Sequence, residues 1–221
     1  MDSGRIRSAA TPAPGAPDEP GPRIARWGLA ISIASGVAAT VAQLVDFGVY
    51  GLRIRSLDMG THASVFGALS LLALAGSIAA AFMLLLDLGR RTLWATALPL
   101  LLAALLALRV IHPAGVLLLA LPLAVATFPI LWWRVGSGDA EAQCVVRLGC
   151  VALVASYAIR AVAPTVDSAF GYTDTTWPYQ VLLVSRHSGE LAGWAIVLTG
   201  LTAAYVNRRG RGSARTCPVG V

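Results

Sequence analysis

Six apolar runs, each close to the length that crosses a bilayer, occupy most of this 221-residue chain and constrain its fold more than any other feature. They fall near 27–51, 63–87, 92–111, 115–133, 142–163 and 187–206. About 20 apolar residues in a helix cross roughly 30 Å of hydrocarbon. Lipid offers the backbone no hydrogen-bond partner, so unbroken runs of this kind must be helices, and strand-type alternation that would suggest a β-barrel is absent. The expected fold is all-α: a polytopic transmembrane bundle of about six helices. Composition agrees, since only 13% of residues are charged and 57% are hydrophobic, whereas a soluble domain carries roughly 25% charged residues.

Three segments follow. Residues 1–26 are rich in Pro, Ala and Gly and read as a disordered cytoplasmic tail. Residues 27–207 form the membrane domain, and 208–221 a basic cytoplasmic tail. The polar stretch ahead of the first run, and the length of that run, do not fit a cleavable leader.

Turn chemistry separates the runs. Asp58 and Thr61 precede the second helix, and His112-Pro113-Ala114-Gly115 makes a tight turn between the third and fourth. Ser137-Gly138-Asp139 opens the fifth, with Glu141 in the first turn where the helix dipole favours a carboxylate. Thr175-Thr176-Trp177-Pro178 starts a sixth helix longer than the bilayer requires. Pro99, Pro122 and Pro129 stand inside runs, where proline produces a kink.

Orientation is read from the basic residues, all of them arginine. With both termini in the cytoplasm (N-in, C-in), twelve arginines and six acids lie inside, and five of each lie outside. The net charge of +6 then sits wholly on the cytoplasmic side, as the positive-inside rule requires. Charge so distributed is topology, and nucleic-acid binding is not expected. The expected location is the plasma membrane, here a bacterial inner membrane.

The same topology gathers all three histidines (His62, His112, His187) at the outer boundary, with several charges at or inside helix ends. Asp46, Arg109, Arg160 and Glu190 are of this kind, and ionisable groups at membrane depth are costly enough to imply partners. Gly51-Leu52-Arg53-Ile54, Ala107-Leu108-Arg109-Val110 and Ala158-Ile159-Arg160-Ala161 are similar phrases, although snorkelling explains each arginine singly. Arg186 and Glu190 are spaced to pair on one helix, and His187 shares a face with Glu190. Asp58 and His62 stand four apart at the start of the second helix.

Brought together, His62, His187, Glu190 and Asp58 are candidates for acid–base chemistry, and the first three for holding a metal. Arg53, Arg109, Arg160, Arg186 and Asp46 are candidates for binding a ligand. Against this stands the structural alternative of a capping Asp58, an interfacial His62 and an Arg186–Glu190 ion pair. No zincin motif and no di-haem histidine pattern is present, and no cofactor-binding residue is assigned.

Small residues form stripes at Gly189/Gly193/Gly200, Ser32/Gly36/Thr40 and Ala73/Ser77/Ala81, which allow close helix contact within the bundle or, alternatively, in a dimer. The three cysteines are read as small apolar residues.

The stretch Thr61-His62-Ala63-Ser64-x-Phe66-Gly67, together with Glu190-Leu191-Ala192-Gly193-Trp194, resembles uncharacterised multi-pass bacterial membrane proteins. That resemblance implies a membrane fold and no activity. The leading expectation is a non-enzymatic membrane protein whose outer polar cluster stabilises the bundle. Its partners are the lipid bilayer and a small ligand, a lipid head group, a partner protein or a second copy. The alternatives are a metal-dependent or acid–base membrane enzyme acting on a lipid or small anionic substrate, and, more weakly, a transporter.

Overall fold

The computed structural model describes residues 20–51, 54, 57, 64–88, 93–111, 116–135 and 139–215. Among these the chain is all-helical, with no strand. Six α-helices follow in order: α1 (Pro20–Val45), α2 (Val65–Leu88), α3 (Leu93–Ile111), α4 (Val116–Trp133), α5 (Ala140–Phe170) and α6 (Trp177–Arg215). A π-helical turn, Asp46–Tyr50, continues α1 and ends at Gly51, whose φ of +62° suits a residue without a side chain. Five of the helices are long and apolar enough to span a membrane; the apolar stretch described for α4, Pro122–Trp133, is shorter.

Several ends differ from the sequence expectation. α1 begins at Pro20 rather than at 27, with proline in the first turn, where its missing N–H costs nothing. α5 runs through Pro164 to Phe170 and closes on Gly171 at φ +67°, whose N–H reaches the Asp167 carbonyl. Its start is as expected: Asp139 caps the helix by accepting from the Ala142 N–H at 3.2 Å. At 1.5 Å per residue α5 is about 46 Å long and α6 about 58 Å, so both outreach a hydrocarbon layer of roughly 30 Å.

α6 is the hub, packing along α5, α1 and α2, while α2 meets α3, α3 meets α4 and α4 meets α5. Trp194 is fully buried at its middle, among Leu74, Leu98, Leu102, Leu153 and Val197. Glycine makes the close approach possible. A Cβ on Gly200 would stand 2.9 Å from the Val146 backbone nitrogen, and one on Gly149 at 2.9 Å from that of Val197. α1 meets the opposite side of α6 through Gly28 against Thr199 and Gly36 against Ala192. The small-residue stripes of α1 and α6 therefore serve contacts inside the bundle.

The outer surface carries large apolar side chains in number, Leu72, Leu86, Leu100, Val125, Val151 and Val154 among them. Such a surface suits lipid as solvent. At one end Arg26 of α1 lies 3.6 Å from Glu141 of α5, and Asn207 of α6 donates to Asp139. The start of α1, the start of α5 and the latter part of α6 thus share this end, called here the termini end. The opposite end, where α5 turns into α6, is the loop end.

Candidate functional site: a buried ion pair joining four helices

From Asn207 at the termini end, α6 rises about 25 Å before it reaches Glu190, which leaves this carboxylate just inside the loop-end edge of a bilayer. Its side chain is 4% exposed. A carboxylate there requires a cation, and Arg109 of α3 supplies it with Nη1 2.6 Å from Glu190 Oε1. The same Nη1 donates to Ser70 Oγ of α2 at 3.1 Å. Tyr157 of α5 donates its hydroxyl to Glu190 Oε1 at 3.3 Å. One carboxylate oxygen thereby links α6, α3 and α5, and Ser70 extends the link to α2. Glu190 Oε2 makes no hydrogen bond among the described residues. One turn further along, the buried indole N–H of Trp194 has no hydrogen-bond partner among the described residues.

Nearer the loop end, α5 and α6 hold a second group of charges. Arg186 lies within electrostatic range of Tyr179, Arg160, Asp167 and Glu190. Its backbone carbonyl accepts from Ser156 of α5, while its buried Nε has no hydrogen-bond partner among the described residues. The same holds, among those residues, for the buried Asp167 Oδ1. The pairing of Glu190 with Arg186 that their spacing suggested gives way to the interhelical pair with Arg109. Arg109 reaches the carboxylate from α3, whereas Arg186 makes no ion pair with it among the described residues.

Asp46 stands apart, fully buried in the π-helical turn of α1. Its Oδ1 accepts from the Ile54 N–H at 3.2 Å and its Oδ2 has no partner. One turn earlier Gln43, also fully buried, donates to Gln180 of α6 at 3.1 Å, and Gln180 donates to the Asp174 carbonyl at 2.6 Å. Phe47 packs edge-on against Trp177 at 4.7 Å between centroids. The α1–α6 contact at the loop end is therefore polar at its centre and aromatic at its rim.

The structure thus brings Glu190, Arg109, Arg160 and Arg186 to one region. His187 is half-buried on α6, three residues before Glu190. Asp58, His62 and Arg53, and with them the set of His62, His187, Glu190 and Asp58, lie outside the described residues. Among the described residues no group of three or more His, Cys, Asp or Glu side chains is placed to hold a metal. Cys144 and Cys150 are free.

Sequence reasoning missed Tyr157, Ser70, Gln43 and Gln180. The signal for Gln43 was present: a lone amide in an apolar run, three residues from Asp46 and so on the same face. Tyr157 likewise sits three residues before Arg160. Compared with protein-family models, with curated proteins and with solved structures, the chain finds no match.

Proposed function

We propose that this chain is a non-enzymatic multi-pass protein of the plasma membrane whose buried Arg109–Glu190 pair locks four helices together at the loop end. The twelve-to-five division of arginines supports a cytoplasmic termini end and an external loop end. The contact that carries the reading is the 2.6 Å pair itself, made in a setting where neither charge is tolerable alone. Arg160 and Arg186 bring two further guanidinium groups between that pair and the loop, with Asp167 in range of Arg186. Guanidinium groups at helix ends suit an anionic ligand, either a lipid head group or a small external anion.

A double-mutant cycle tests the lock. The full chain is unfolded reversibly in mixed micelles as wild type, Arg109→Gln, Glu190→Gln and the double variant. Each single change leaves a buried charge without its partner and is expected to cost about 3–5 kcal/mol. The double variant is expected to cost clearly less than the two singles together, with a coupling of about 2 kcal/mol or more. Additive single effects, each under about 1 kcal/mol, would contradict the proposal.

A further inference from the structure

Between α4 and α5 lies a groove of about 520 Å3, a size typical of sites for small organic ligands. Phe128, Pro129, Trp132 and Trp133 of α4 form one wall, and Cys150 and Val154 of α5 help form the other. Pro129 lacks an N–H and cannot complete the α4 backbone ladder. Val154 and Trp133, each more than half exposed, put the groove on the lipid-facing surface. Its walls offer an occupant apolar contact, and what reaches it comes from the bilayer.

Charge at the groove selects among lipids. Arg147 of α5 donates its Nε to the Trp132 carbonyl at 3.1 Å and lays its guanidinium over the Trp132 ring, 5.4 Å from the centroid. Its terminal amino groups make no hydrogen bond among the described residues. Arg134, exposed, follows Trp133 directly. The two acids at the start of α5 are engaged, Glu141 with Arg26 and Asp139 with Asn207. From Asp139, α5 rises about 12 Å to Arg147 and about 22 Å to Val154, so the cations stand at the termini-side mouth of the groove and its apolar walls run deeper into the bilayer.

We propose that this groove binds one anionic phospholipid of the termini-side leaflet, an acyl chain lying between α4 and α5 and the phosphate held by Arg147 and Arg134. The site is independent of the loop-end cluster.

The test uses the full chain purified in mild detergent and offered an equimolar mixture of phosphatidylglycerol and phosphatidylcholine, with retained lipid read by native mass spectrometry. One near-surface cation is worth about fivefold in affinity, so wild type is expected to retain phosphatidylglycerol over phosphatidylcholine by at least about that factor. Val154→Trp, which fills the groove, is expected to abolish the excess. Arg147→Gln and the exposed change Arg134→Gln are each expected to lower it about fivefold, and the two together to bring it near parity. Leu100→Trp, on the lipid face of α3, is expected to leave it unchanged. Equal retention of the two lipids by wild type overturns the proposal. So does a preference that survives Val154→Trp or both arginine changes, or one lost equally in Leu100→Trp.

Discussion

Glu190 accepts both of its hydrogen bonds at one oxygen, from Arg109 at 2.6 Å and from Tyr157 at 3.3 Å. The first is short and joins opposite charges; the second is long and its donor is neutral, so most of the restraint comes from the arginine. Tyr157→Phe is therefore expected to cost about 1 kcal/mol or less. Ser70→Ala removes an interhelical bond of the sort that averages about 0.6 kcal/mol in membrane bundles. Both fall well short of the cost of breaking the ion pair. Unfolding of the two variants in mixed micelles checks the ranking, and a Tyr157→Phe loss as large as that of Glu190→Gln would reverse it. The sequence exposed Glu190 and Arg109 as costly residues needing partners, because charge inside an apolar run is conspicuous. It did not expose that they were each other's partners. Arg186, four residues from Glu190 on the same helix, was the local choice, and only the packing of α3 near α6 decides between them. The same limit applies to Gln43 and Gln180, visible as polar residues and not as a pair.

Helices meet where side chains are smallest, and the glycines of α6 and α5 show how unequally that requirement is spread. At Gly200 and Gly149 an added methyl would meet backbone nitrogen at 2.9 Å, which no rotamer change relieves. At Gly189 the nearest atom would be the Ser156 Cβ at 3.4 Å, an ordinary contact. Gly200→Ala and Gly149→Ala are accordingly expected to destabilise by about 1–3 kcal/mol through forced separation of α5 and α6. Gly189→Ala is expected to be neutral, or stabilising by up to about 1 kcal/mol, since alanine is the better helix former. Thermal unfolding of the three variants separates the cases, and equal losses at all three would refute close packing as the reason for the stripe. At this scale the apolar runs revealed the helices themselves, and the stripes were visible as faces. Helix ends were harder to read. The fifth apolar run stops before Pro164, yet α5 passes through it; α6 starts at Trp177, in the stretch expected to open it, and continues past the sixth run to Arg215.

Across the whole molecule, α6 organises the rest, with α5 on its glycine-bearing face, α1 packed against it through glycines of its own, α2 beside it, and α3 joined to it through Arg109. Contacts of Arg26 with Glu141 and of Asp139 with Asn207 tie three helices at the termini end, opposite the turn at Gly171. Paired termini imply an even number of crossings, which is also what the distribution of arginine asks for. A bundle so arranged presents two chemically distinct faces: a loop end rich in buried and half-buried charge, and a termini end whose Arg147 and Arg134 are proposed to bind anionic lipid. The most direct test of this account is dual reporter fusion in bacterial cells, a fluorescent protein that matures only in the cytoplasm and a phosphatase active only outside it. The account predicts fluorescence without phosphatase activity for fusions after Val221, and phosphatase activity without fluorescence for fusions inserted after Tyr172. The reverse pattern, or the same reporter active at both positions, would contradict it.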